Sequence, residues 1–202
     1  MVSPLKKIKL IAFLFVFFFI LDVGKDLLLQ SLLQKSLARA TGFTTTIASL
    51  HVSLFSLTLQ GKEILFYNPA GFEERNFARI SDFFLEFDPL ALLRGKYHFR
   101  EVHLVLEELF IVKNREGLTN LEMLEQIGSS QKKTSPLQVD ALDLTLLRVV
   151  SKNGKEATAI TVSERGPVAQ HQHFENLHSI TEVIRAVFLK SLPKELLLPK
   201  SK

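Results

Sequence analysis

The chain has no cysteine among its 202 residues. That excludes disulfides, thiolate metal ligands, a cysteine nucleophile and a lipidated N-terminal cysteine together. Tryptophan is absent too, and 2 tyrosines and 2 methionines stand against 17 phenylalanines. No block of Lys and Arg forms a phosphate-tracking stripe, since 25 basic and 21 acidic residues leave a net charge of only +4, spread along the chain. A nucleic-acid partner is therefore not expected. A G-x-S-x-G elbow, a phosphate loop and a G-x-G-x-x-G turn are all missing, so neither a common enzyme class nor a cofactor is indicated. No internal repeat of about 20–50 residues stands out.

What the chain has is apolar residues, 47% of the total. Lys6, Lys7 and Lys9 precede an unbroken apolar run, Leu10 to Leu21. Positive residues before such a run keep the N-terminus cytoplasmic and send the rest across. The run covers only about 18 Å as a helix, short of a ~30 Å hydrocarbon core, which by itself favours a cleaved signal. Cleavage needs small residues soon after the run, and Asp22 to Asp26 offer none; Ala38-Arg39-Ala40 lies too far downstream. The expectation is one long, uncleaved helix, its first half in the membrane, with Lys9 and Lys25 snorkelling at the ends and Gly42 as its stop.

From Thr44 the period changes to two-residue alternation, which marks strands. Leu50, Val52 and Leu54 share one face of the first strand, and Leu57 and Leu59 follow after a break near Phe55. Phe83, Leu85 and Phe87 alternate with Asp82 and Glu86; Val102, Leu104 and Leu106 alternate with Glu101, His103 and Glu107. "LFIVKNREG" reads as a further short strand. Asn120 is a candidate cap for a brief helix, "LEMLEQIG", stopped by Gly128. Residues 129–136 read as a linker, dividing a β-rich region over 42–128 from a strand-rich region over 137–202. Leu142, Leu144 and Leu146 belong to the strand beyond it. Asn153-Gly154 predicts a tight hairpin, and helical spacing predicts an amphipathic helix over "ENLHSITEVIRAVFLKSL", ended by Pro193.

The fold class expected is α+β and mostly β: a transmembrane helix, an antiparallel-type curved sheet and a C-terminal amphipathic helix. An apolar sheet face needs a cover. Ordinary core under the last helix, a second sheet and a bound hydrophobic ligand all satisfy that need, and periodicity does not choose among them. The last helix itself could close the sheet or lie on a membrane surface.

Titratable groups give no catalytic set. His171 and His173 sit at i, i+2 with His178 nearby, but no carboxylate or cysteine completes a metal site at recognisable spacing. Simple alternation places His98 and His103 on opposite faces of one strand. Glu73-Glu74 and Glu107-Glu108 read as solvated charge.

One stretch carries more. A helix ending in Thr41-Gly42 is followed by two alternating strands and then by Asn68-Pro69-Ala70-Gly71-Phe72. Ala78-Arg79-Ile80 opens the next strand, Asp88-Pro89-Leu90 ends it, and Leu92-Leu93 with Gly95-Lys96, a Val/Leu-rich strand, Gly117 and Asn120-Leu121 come after. In this order the pieces resemble the N-terminal region of the AsmA family of membrane-anchored periplasmic proteins, from about Lys6 to Leu124. Physically, Pro69 extends Asn68, Gly71 permits positive φ and Phe72 folds back, so that motif reads as a structural turn. The resemblance implies an inner-membrane, single-pass protein with its bulk in the periplasm, and a β-groove whose apolar lining contacts membrane lipid during envelope and outer-membrane assembly. Envelope protein partners or a homo-oligomer fit it as well. The chain is short for the family: a dozen strands at ~4.8 Å would reach only about 60 Å, and fewer are countable here. A membrane-anchored scaffold with a closed core is the alternative.

Overall fold

A computed structural model describes residues 24–53, 55–130, 137–153, 156–160, 170–190 and 192. The apolar run Leu10–Leu21, and with it the expected transmembrane half-helix, lies outside these residues, as do Leu54, most of the linker and Gly154. Among the described residues no helix is long and apolar enough to cross a membrane.

A helix over 24–41 (α1) leads into the sheet. It stops where expected: Gly42 takes φ 74°, and its N–H bonds the Ala38 carbonyl at 2.8 Å, a glycine C-terminal stop. Strands β1 (Thr44–Ser53), β2 (Thr58–Tyr67), β3 (Asn76–Phe87) and β4 (Tyr97–Val112) then form an antiparallel meander, with α2 (Pro89–Leu93) between the last two. Next come α3 (Asn120–Ser130), β5 (Leu137–Asn153), β6 (Glu156–Ile160) and β7 (Gln170–Leu177). The last element is α4 (Ile180–Arg185), continued by one π-helical turn, Ala186–Lys190. The seven strands make one sheet in the order β1-β2-β3-β4-β5-β6, with β7 also paired to β5.

Several expectations need correction. The sheet is mixed, because β5 runs parallel to β4 from Tyr97↔Leu137 to Val112↔Lys152. A parallel neighbour requires a long crossover, and residues 113–136 with α3 supply one. The supposed linker therefore joins two adjacent strands of one sheet. "LFIVKNREG" is no separate strand, since its first four residues complete β4. Leu57 lies in the β1–β2 turn at φ 52°, its carbonyl accepting from the Phe87 N–H at 2.9 Å. The last helix begins at Ile180, because residues 175–177 finish β7 and Ser179 forms the cap, accepting from the Glu182 N–H at 3.1 Å.

The helices α1, α3 and the last one contribute to one side of the sheet. Leu29, Leu33 and Leu37 of α1, Leu121 and Leu124 of α3, and Ile184, Val187 and Phe188 of the last helix pack with the strands' apolar residues in a single core. Phe188 touches both Phe66 and Phe77, and Phe77 stacks on Phe43 at 4.5 Å. The arrangement is a two-layer helix-on-sheet packing. Beside β1, α1 also bonds the strand's backbone directly. The Gln30 and Gln34 amides donate to the Ile47 carbonyl at 2.6 and 3.3 Å, and an Asp26 carboxylate oxygen accepts from the Val52 N–H at 3.1 Å.

Candidate functional site

The alternating residues named from the sequence do come together on one face. In-register pairing joins Val52 to Leu59, Leu59 to Leu85, Leu85 to Val102 and Val102 to Leu142. A second row runs Phe83–Leu104–Leu144, and Leu106 pairs with Leu146. The alternation is not strict along any of these strands. Glu63, at φ 57°, shifts the inward set of β2 from Leu59 and Gly61 to Ile64 and Phe66. Gly61 lets this happen at close quarters, for a Cβ there would lie 2.3 Å from the Ser49 carbonyl and 2.6 Å from the Phe83 ring.

Burial divides the candidates into two groups. Leu106, Leu142, Leu144 and Leu146 are fully enclosed at 0% exposure, and Leu50, Phe83 and Val102 are buried. Val52, Leu57, Leu59, Leu85, Phe87 and Leu104 are only half-buried. The second group, with the Phe99 ring tilted against Phe87 at 4.6 Å, lies mainly toward the end of the sheet where β3 finishes and β4 begins. The N-terminus of α1 lies at the same end, since Asp26 meets Val52. The helices thus roof the centre of the apolar face and leave that end partly uncovered at Leu59, Leu85, Phe87 and Phe99, while Val102, Val139 and Leu142 beside them stay buried.

The turn motif sits at the opposite end, connecting β2 to β3. Asn68 holds it closed, donating from its amide to the Glu74 and Asn76 carbonyls at 2.9 and 3.0 Å. Gly71 has φ 106°, and half-buried Phe72 bridges to Asn114. Pro69 lies between Asn68 and this bridge. Asn120 has a different part from the cap expected of it. Fully buried, it donates to the Asn68 side chain and the Phe110 carbonyl at 3.0 and 2.8 Å and accepts from the Val112 N–H at 3.2 Å. The capping is done by Thr119 and Glu122, each accepting from the other's backbone N–H at 3.1 and 2.7 Å. That T-x-x-E spacing was a readable signal. The helix also continues past Gly128 to Ser130.

The outer face of the sheet is polar and laced with ion pairs. Arg79 bridges Glu63 and Glu107, Arg148 reaches Glu108, and His98 meets Asp140 at 2.8 Å. Phe99 and Val102 both pack inward, so the alternation slips by one residue between them. His98 and His103 consequently share the outer face, against the simple count, yet they pair with different acids. His103 contacts Glu101 at 2.8 Å and Asp143 at 3.5 Å, while His173 contacts Asp143 at 2.6 Å and Glu175 at 3.2 Å. Glu101 and Glu175 lie two residues away on the histidines' own strands, and Asp143 comes from the neighbouring strand, through the register His103↔Asp143↔His173.

Glu101, His103 and Asp143 place one ligand atom each within 4.8 Å of the others, so among the described residues these three could hold a metal ion. Each is already engaged by a protein partner and about two-fifths exposed. Their evident chemistry is charge pairing between strands. Asp143 first, then Glu175, raise the His173 imidazole above its ordinary value of 6.5. A raised folded value means that this pairing stabilises β7 on β5 fully below the unfolded pKa and is lost as pH rises through the folded one. The expected result is an NMR titration midpoint for His173 above that of a free histidine peptide, falling back in Asp143→Asn. A midpoint indifferent to that substitution would refute the pairing.

A shallow cleft of about 460 Å³ crosses β1 to β4, lined in part by His51, Gln60, Lys62, Asp82, Phe84 and His103. Among the described residues it brings together no hydroxyl or thiol nucleophile hydrogen-bonded to a base. Compared with protein-family models, curated proteins and solved structures, the chain matches none.

Proposed function

We propose that this chain is a non-enzymatic, AsmA-like module, anchored in the inner membrane by Leu10–Leu21 with its bulk in the periplasm, that holds lipid acyl chain against the half-covered end of its apolar face. The carrying observation is the uneven burial of that face. A single packed core would bury Leu59, Leu85, Phe87 and Leu104 as deeply as Leu142, Leu144 and Leu146, but the first four stay half-buried, on β2, β3 and β4, while the β5 leucines are enclosed. Half-buried apolar side chains gain by covering the remainder, at about 25 cal/mol per Å². The ordered pieces from Thr41-Gly42 to Asn120-Leu121 support the same reading through their likeness to the AsmA family. Because the centre is filled by side chains, the role is local lipid capture in envelope assembly, with passage along an open groove through this chain alone disfavoured.

The filled centre also favours a second reading, a membrane-anchored scaffold whose apolar face is purely structural and whose partner is another envelope protein or a second copy. Photo-crosslinking separates the two. The full chain would carry benzoyl-phenylalanine in place of Phe87 or, at the far end, Phe72, and would be irradiated in membranes. Phospholipid adducts at position 87 and not at 72 are expected. Adducts to protein alone, or none, would decide for the scaffold.

A further inference from the structure

The large apolar side chains that the fold leaves exposed are unevenly distributed. Phe55 at the tip of the β1–β2 turn is wholly exposed (105%), Leu93 is 85% exposed, and Leu90 and Tyr97 are more than half exposed. All four belong to one end of the sheet: Thr58 pairs with Glu86, the Asp88 N–H bonds the His98 carbonyl, and α2 with residues 94–96 closes the gap between β3 and β4. Leu27 and Leu28, at the start of α1, are also exposed, and α1 begins at this end through Asp26 and Val52. At the opposite end the exposed residues include Glu73, Arg75, Lys113, Arg115 and Glu116, and the other exposed large hydrophobics, Leu32, Leu147 and Ile180, stand singly on α1, β5 and the last helix. Single exposed apolar residues are ordinary, but a cluster at one end marks a contact surface.

We infer that this end of the domain, formed by Phe55, Leu90, Leu93 and Tyr97, rests on the surface of a lipid bilayer as a second contact beside the N-terminal run. This rests on the anchoring proposed above. Leu21 closes the apolar run and α1 is in place by residue 24, so only residues 22 and 23, three Cα–Cα steps, separate them. Even fully extended, they reach only about 10 Å. The bilayer that holds the run is therefore adjacent to this end of the sheet. The chemistry suits a headgroup layer: exposed Arg94 and Lys96 stand between Leu93 and Tyr97, placing cations and an aromatic hydroxyl among apolar groups. The nearby acids do not oppose it, because Asp88 is engaged by the Ala91 N–H and Arg100, and Asp26 by Lys25, His51 and the Val52 N–H.

The absence of tryptophan makes the test clean. The full chain carrying Phe55→Trp, Leu93→Trp or, as the distal control, Phe72→Trp is reconstituted into phosphatidylcholine–phosphatidylglycerol vesicles with brominated acyl chains. Strand length puts the control about 30 Å away. The expected result is emission at positions 55 and 93 quenched at least about twofold more than at 72, with a blue shift that vanishes in detergent. Protein that stays with the vesicles through an alkaline wash but shows equal quenching at all three positions overturns the surface contact and leaves the anchor standing. Protein that washes off overturns both.

Discussion

Replacing Leu144 by alanine is expected to lower the unfolding free energy by about 3 kcal/mol, within the range of roughly 2–5 kcal/mol found for enclosed leucines. Leu144 has no exposed surface, and its β4 neighbour Leu104 and β7 neighbour Gln172 flank it in register. The cavity left there is walled by strands and helices that cannot both collapse. The same change at half-buried Leu85 should cost under about 1.5 kcal/mol, because part of that surface already faces water. Urea unfolding, read as midpoint shifts at constant slope, checks the pair. Equal costs at the two sites would abolish the distinction between a packed centre and a half-covered end, and with it the basis for placing lipid at Leu85 and Phe87.

Asn120→Ala should cost nearly as much, about 2–4 kcal/mol, although it removes almost no apolar contact. The change strips partners from the Val112 N–H, the Phe110 carbonyl and the Asn68 side-chain oxygen at once. A buried polar group left unpaired costs about 1–3 kcal/mol, and relaxation around a small residue recovers part of that. Thr119→Ala, one residue earlier, loses only a helix cap, about 1 kcal/mol. A thermal-denaturation comparison in which the Thr119 variant is the less stable of the two would overturn the assignment of Asn120 as the link between the β2–β3 turn and α3.

Much of this fold was legible because alternation is a local property. Thr44 to Leu50, Phe83 to Phe87 and Val102 to Leu106 announce strands whatever their neighbours are. The inward faces were legible for the same reason, and pairing brings them together as a continuous surface. What escaped was non-local. A parallel partner for β4 has no local mark; the helix 120–130 followed by a strand hinted at the crossover, but the polar linker drew attention as a boundary. Slips such as those at Glu63 and between Phe99 and Val102 insert a residue without a characteristic residue type, so a strict count misplaces whatever follows. This is why His98 and His103 seemed to face opposite ways. Of the two carboxylates near His173, Glu175 lies two residues on in the same strand, but Asp143 was invisible because it arrives from β5, 30 residues upstream. Residues 175–177 read as helix because Leu177 falls at helical spacing from Ile180 and Ile184, yet the same residue suits a strand beside Val139.

The side chains of α1 that bond β1 bear on how copies of this protein could assemble. An open-ended filament built by strand addition needs two free margins on every subunit, one to give and one to receive. Here one margin is occupied by the subunit's own helix, through Asp26, Gln30 and Gln34. Strand addition is left with the β6–β7 side alone, and growth through a single margin stops at two. A longer apolar conduit made by stacking this chain end to end would first have to peel its helix away.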